Sequence, residues 1–249
     1  MTVMDVPKTA GIDYRNSHLD KGDGYDQSMS LGNFDSYMTG HHHRVLGKVI
    51  QSHFGGRVPR YLDFACGTGR ITSFVEPFAE QSWAVDVSES MVRHARRKCA
   101  RTTFVLGDAT RDDLGLGEFD LVSAFRFFGN AQDELRSSAL QALARRLSPE
   151  GLLVFNNHRN PWTLHNALLR CKGENIDVDL HYLKLRRLLR NAGLQVLRTY
   201  GIGLWFVRHS FNRPEVLESR AVAAFDRIAP TRLLAPVCPD FVVIAAKRR

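Results

Sequence analysis

Apolar residues in this chain gather into short runs separated by polar stretches of helix length. The runs are Tyr61–Ala65, Ser82–Val87, Thr102–Asp108, Phe119–Phe125, Gly151–Asn157, Leu194–Gly201 and Asp240–Ala246. Each is the size of a strand. Between most of them lie helix-length segments, Arg70–Phe78, Glu89–Ala100, Asp133–Leu147 and His181–Ala192. Apolar strands alternating with helices predict a parallel sheet covered on both faces. Pro149 and Gly151 predict a turn between the helix ending at Leu147 and the fifth strand. The last two strands are separated by residues 202–239, too long for a tight hairpin, and a helix is expected near Pro214–Ile228 with Pro214 in its first turn. Ahead of the first strand, Phe34, Tyr37, Met38, Val45, Leu46, Val49 and Ile50 predict a helical region broken near Gly40. Residues 1–30 are polar and carry Asp20, Gly22, Asp23 and Gly24, so an irregular arm is expected there.

Length and composition narrow the class. With 249 residues, 44% of them hydrophobic and 24% charged, the chain can bury one full core. A single domain is expected, with an arm and helical lid at 1–57, a ligand-binding core at 58–157 and a substrate-side portion at 158–249. No apolar run approaches the roughly 18–20 residues of a membrane helix. The first residues lack the apolar core of a secretory signal, so a cytoplasmic location is expected. Cys66, Cys99, Cys171 and Cys238 form no C-x-x-C pair and are expected to be free thiols. The net charge of +8 is unevenly placed: residues 1–150 hold 18 Lys+Arg against 19 Asp+Glu, whereas residues 151–249 hold 16 against 7. A binding site built from the later part would favour an acidic partner.

The chemistry concentrates in "YLDFACGTGRIT", Tyr61–Thr72, where a strand runs into a glycine loop and then a helix. Gly67 and Gly69 permit a sharp turn and a close approach to a ligand, and the helix start beyond them offers free N–H groups. A dinucleotide fold would want a third glycine at position 72, where Thr72 stands, so a nicotinamide dehydrogenase is disfavoured. Asp86 ends the second strand, placed to hydrogen-bond ribose hydroxyls, and "GDAT" puts Asp108 and Ala109 at the end of the third.

Asp63-x-Ala65-x-Gly67-x-Gly69, followed by "VDVSESM" and "GDA", resembles the class I S-adenosylmethionine-dependent methyltransferases over about residues 60–157. The resemblance implies a Rossmann-like α/β fold: a seven-stranded, mostly parallel sheet with helices on both faces, an antiparallel last strand and an N-terminal helical lid. It implies S-adenosylmethionine as cofactor, with the loop from Asp63 and Ala65 through Gly67 and Gly69 holding its methionine end. Asp86 would take the ribose hydroxyls, Val87 and Met91 would flank the adenine, and Asp108 with Ala109 would meet the adenine amino group. Phe125 and Arg126 would lie beside the sulfonium and the acceptor. Ala65 stands where the family often has glycine.

Candidates for handling the acceptor follow from position at the carboxyl edge of the sheet. His158, just past the fifth strand, is the candidate general base for a hydroxyl, with Asn156 and Arg126 as groups that orient an acceptor. His41, His42 and His43 cannot share one helix face, so at most one or two point inward. Tyr25 and Tyr37 are candidates for the lid. Asp177, Asp179 and His181 in "DVDLH" suit a helix-capping loop better than a cation site, and no metal is expected. The loop "AFRFFGN" lacks the N/D-P-P-Y/F motif of enzymes that methylate base nitrogens, and Cys99 and Cys238 are far from where a cytosine C5 enzyme needs its nucleophile. The expected acceptor is a small molecule or glycan, acidic if the basic surplus reaches the site, with oxygen favoured over nitrogen. An RNA methyltransferase, a small-molecule N-methyltransferase and a non-catalytic cofactor-binding subunit remain open alternatives.

Overall fold

The structure, a computed structural model, describes Tyr14 and residues 34–174, 178–204, 214–228 and 233–248. Tyr25 and Asp177 lie outside these residues. Helix α1 (Phe34–Phe54) leads into β1 (Val58–Phe64), followed by α2 (Arg70–Val75), β2 (Ala79–Asp86), α3 (Glu89–Arg96), β3 (Thr102–Leu106) and β4 (Phe119–Ala124). Then come α4 (Asp133–Arg146), β5 (Leu147–Asn157), α5 (Leu164–Cys171), α6 (Tyr182–Asn191), β6 (Leu194–Ile202), α7 (Pro214–Leu217), α8 (Arg220–Ile228) and β7 (Asp240–Lys247). The strands form one sheet in the order β3-β2-β1-β4-β5-β7-β6. All neighbours are parallel except β7, which runs antiparallel to both β5 and β6. This is the Rossmann-like arrangement expected, with the chain reversing direction across the sheet between β1 and β4.

Alternation along the strands explains why both faces are covered. Leu62, Val122, Phe155 and Phe241 point into the core shared with α4 and α6. Their chain neighbours Tyr61, Leu121, Val154 and Val242 point into the opposite core, beneath α1. The α1 stripe facing that core is Met38, Val45, Leu46, Val49 and Ile50, and His42 is buried in the same stripe. Contrary to the expected break, α1 runs straight through Gly40, which is exposed and packs against nothing; a solvent-facing glycine costs a helix only about 1 kcal/mol.

Other departures from expectation have equally local causes. Strand β5 begins at Leu147 rather than after a turn at Pro149 and Gly151. Its register with β4 jumps from Phe119↔Leu147 to Leu121↔Leu152, so the intervening residues bulge out of the ladder. Gly151 serves that bulge: a Cβ there would lie 2.8 Å from the Phe119 carbonyl oxygen. The expected helix over Pro214–Ile228 is two pieces, α7 and α8. Helix α5 was not anticipated; it buries none of its side chains. Among the described residues, no helix is long and apolar enough to cross a membrane.

Candidate active site

At the carboxyl edge of the sheet, where β1, β2, β3 and β4 end, residues from all four strand ends line a cleft open to solvent, the edge at which open α/β sheets bind ligands. The loop after β1 contributes Ala65 and Gly67, the end of β2 contributes Asp86 and Val87, and α3 contributes Met91. Asp108 and Ala109 come from the end of β3, and Phe125 and Arg126 from the end of β4. In the loop after β1, both cleft-lining positions are left-handed: Ala65 at φ 54 and Gly67 at φ 54. Ala65 therefore bears a strain of about 1–2 kcal/mol that a glycine would not. The Asp86 carboxylate organises the loop, accepting from the Gly67 N–H at 2.8 Å and the Ser88 N–H at 2.9 Å. Burial raises its pKa, opposed by backbone N–H donors from Ser88, Gly67 and Val87. Asp108 accepts from Thr110 N and Oγ1 at 2.9 and 2.6 Å.

Gly69 and Asp63 do not line this cleft; both sit underneath it. Gly69, at φ 78, precedes α2, and a Cβ there would lie 2.9 Å from the Ala95 Cβ, so α3 packs against the glycine itself. Asp63 is 2% exposed. Its carboxylate accepts from Thr72 Oγ1 and Ser123 Oγ, each at 2.6 Å, tying the start of α2 and β4 to the end of β1. That bond gives Thr72 its place in the motif.

Burial pushes the Asp63 carboxyl up to about 6, against the pull of the Ser123 and Thr72 hydroxyls. A folded pKa above the ordinary one means the protonated form stabilises the fold at low pH, and this contribution is lost as pH rises through about 6. Asp63→Asn keeps an acceptor for Thr72 and can donate to Ser123, which can in turn donate to the Tyr61 hydroxyl at 2.7 Å. The variant is expected to match or exceed the wild type at pH 7, by up to about 3 kcal/mol, with a flatter stability profile between pH ~4 and ~6. Urea unfolding across that range measures it; a deficit above about 1 kcal/mol at pH 7 would show that the charge itself is needed.

The loop after β4 is held in an unusual shape. Arg126 is left-handed at φ 60, which costs a non-glycine residue about 1–2 kcal/mol. Its N–H donates to Asn156 Oδ1 at 2.6 Å, and its carbonyl accepts from Asn130 Nδ2 at 2.8 Å and the Tyr14 hydroxyl at 3.3 Å. Its guanidinium pairs with Asp35 of α1 at 2.6 Å. Asn156 is fixed in turn, donating from Nδ2 to both oxygens of Asp240 at 3.0 and 3.1 Å. Asp240 also accepts from His42 Nε2 at 2.6 Å, and both side chains are almost fully buried. That bond assigns the proton to Nε2 and leaves Nδ1 a buried atom without a partner. A continuous buried relay thus joins α1, the start of β7, the end of β5 and the strained Arg126 backbone.

His158 is placed beside this relay, outside the cleft lining. A Cβ on Gly129 would come within 3.3 Å of its ring, so it packs against the loop after β4. Burial lowers its pKa well below 6.5, and Arg126, Arg159, His42 and Arg70 push the same way. His43 stacks on Phe74 at 4.2 Å and is lowered to about 4, again by burial first. His41 is bound to Asp226 of α8 at 3.1 Å, and Tyr37 donates to the same carboxylate at 2.7 Å. Both residues thus join α1 to α8. Asp179 accepts from Arg136 and Lys184, and His181 caps α6, as a capping loop should.

Two participants had no sequence signal. Tyr14 lines the cleft and packs its ring against Phe127, yet no apolar pattern surrounds it in the polar arm. Asp240 looked like an ordinary strand start, and only the fold brings it to His42.

Comparison with known proteins agrees with this geometry. Residues 62–151 match the family model described as a methyltransferase domain. The chain is 34% identical over 102 residues to the malonyl-[acyl-carrier protein] O-methyltransferase of Enterobacter lignolyticus, covering 40% of this chain and 39% of that one. It is 33% identical over 104 residues to the dTDP-3-amino-3,4,6-trideoxy-alpha-D-glucopyranose N,N-dimethyltransferase of Streptomyces venezuelae, covering 41% of each. The chain therefore spans about two fifths of the length of these curated relatives. Across nearly its whole length the fold is similar to the magnesium protoporphyrin IX methyltransferase of Synechocystis with bound S-adenosylhomocysteine. The TM-score is 0.66 at 17% identity, covering 94% of this chain and 98% of that one. Motif, topology and matched domain converge: residues 62–151 match a methyltransferase domain, set in a fold similar to that of S-adenosylmethionine-dependent methyltransferases.

Proposed function

We propose that this protein transfers a methyl group to an anionic oxygen, a carboxylate, on a small molecule or glycan. When bound, S-adenosylmethionine supplies a methyl group already activated on a sulfonium, so no protein nucleophile is required. The cleft suits such a ligand. A side chain added at Gly67 would enter empty space, and Asp86 and Asp108 offer carboxylate oxygens for the ribose and the adenine amino group. Ala65, Val87, Met91 and Ala109 furnish apolar walls. Asn156 fixes the backbone of Arg126, whose guanidinium holds a carboxylate, Asp35, at 2.6 Å and can orient another.

The observation that carries the acceptor class is the surroundings of His158. Burial acts on it first, and the guanidiniums of Arg126 and Arg159 are the leading charges that act in the same direction. A carboxylate is drawn to that field and is already deprotonated at neutral pH. A hydroxyl would need a general base with a pKa near the working pH, and an imidazole held well below 6.5 is a weak one. The relatives' names point both ways, one to oxygen and one to nitrogen. The buried, unpaired thiols of Cys66, Cys99 and Cys238 support a cytoplasmic setting.

The test is methyl transfer from labelled S-adenosylmethionine to carboxylic acids, sugars, phenols, amines and RNA. Carboxylic acids should yield base-labile methyl esters. His158→Ala should lower that rate less than about tenfold, and the wild-type rate should stay level from pH ~6 to ~9. Transfer to a hydroxyl that falls about 10²–10⁴-fold in His158→Ala would overturn this reading and make His158 the base.

A further inference from the structure

Four arginines of the later residues gather where the cleft does not explain them. β6 lies at the edge of the sheet and pairs with β7 alone, Leu194 opposite Lys247. Because β7 is antiparallel to β5, the start of β6 and the end of β7 lie at the amino edge, opposite the cleft. There α6, the first residues of β6 and Arg248 border an open surface groove. Arg186, Arg187, Arg190 and Arg248 line it, over aliphatic Leu183, Leu194 and Val196.

This is a strongly one-sided surface. Residues 180–204 contain five Lys and Arg and no Asp or Glu. Lys184 is neutralised by Asp133 and Asp179, each at 2.6 Å. Among the described residues, none of the four arginines faces a carboxylate. Guanidiniums clustered without counter-charge repel one another and favour an acidic occupant. The floor decides which kind. Leu183 is 56% exposed, and no aromatic side chain lines the groove. Single-stranded nucleic acid is usually gripped by stacking its bases on aromatic rings, and a phosphate backbone leaves aliphatic surface uncovered.

We propose that this groove docks an acidic, amphipathic segment of a protein partner, its carboxylates on the four arginines and its aliphatic side chains on Leu183 and Val196. Bidentate pairing with Arg supplies orientation, and burial of the leucine supplies affinity. Such a partner binds away from the reacting groups and leaves the cleft open.

Fluorescence anisotropy at physiological salt tests this with labelled probes: a helical Glu/Leu peptide, a Glu/Ser peptide of equal charge, and oligouridine of equal charge. The Glu/Leu peptide should bind at least about tenfold more tightly than either control. The triple variant R186E/R187E/R190E should lose at least about tenfold of that affinity, and Leu183→Ser should lose part of it. The charge-neutral R186Q/R187Q/R190Q serves if the reversal unfolds, and unchanged S-adenosylhomocysteine affinity certifies either protein. Preference for oligouridine assigns the groove to nucleic acid and overturns the proposal. Equal binding of both peptides, binding unmoved by the arginine variants, or no binding of the Glu/Leu peptide overturns it as well.

Discussion

Gly67→Val is expected to abolish S-adenosylhomocysteine binding in a protein that still folds. At φ 54 the Gly67 backbone is left-handed, and a branched side chain there costs about 1–2 kcal/mol or somewhat more. A domain stable by about 5–15 kcal/mol tolerates that loss. Sterically the protein does not object, since a Cβ at this position meets no atom within 4 Å. The valine would instead project into the cleft, in the space assigned to the methionine end of the cofactor. It would also disturb the Gly67 N–H bond to Asp86 and with it the carboxylate proposed for the ribose. Titration calorimetry should show affinity reduced by about 10²-fold or more, while denaturant unfolding moves by no more than the backbone strain. Retained affinity in a folded variant would remove Gly67 from the site.

The contrast between Gly67 and Gly69 shows what a sequence can and cannot say about a motif. Both fall in one pattern and both have positive φ, yet one borders the cleft and the other lets Ala95 approach. Spacing alone reports that glycine is needed, not which neighbour needs it. The sheet was legible because its strands are buried on both faces and read as nearly continuous apolar runs. The start of β5 was not, because Pro149 and Gly151 are also turn residues, and only the Phe119 carbonyl shows that Gly151 serves a bulge. Helix α5 escaped notice because it buries nothing and leaves Leu164 and Leu168 exposed, so no core-facing stripe marks it. Asp86 and Asp108 line the cleft as their places at strand ends suggest, since such positions converge on the carboxyl edge of a parallel sheet, and Phe125 and Arg126, named through the family resemblance, line it too. The relay behind them was hidden: His42 and Asp240 are 198 positions apart, and nothing local marks either as half of a pair.

That relay carries the second large expectation: Asp240→Ala should cost the fold about 3–5 kcal/mol. The aspartate is fully buried and is the shared acceptor for His42 Nε2 and Asn156 Nδ2. Removing it strands two buried donors, each costing about 1–3 kcal/mol, and frees the asparagine that holds Arg126 in its strained shape. The pH dependence fixes the sign. Burial lowers the His42 pKa and the Asp240 charge opposes it. A folded value below the ordinary 6.5 means stability is present above that pH and lost as pH falls. Without Asp240 the imidazole is lowered further, so more stability disappears on acidification. Urea unfolding of the two proteins should therefore show a gap at pH ~7.5 that widens at pH ~5.5. Asp240→Asn, which can still accept from one donor, should fall between them. A gap under about 1 kcal/mol that does not grow on acidification would mean the Asp240 carboxylate anchors neither His42 nor Asn156.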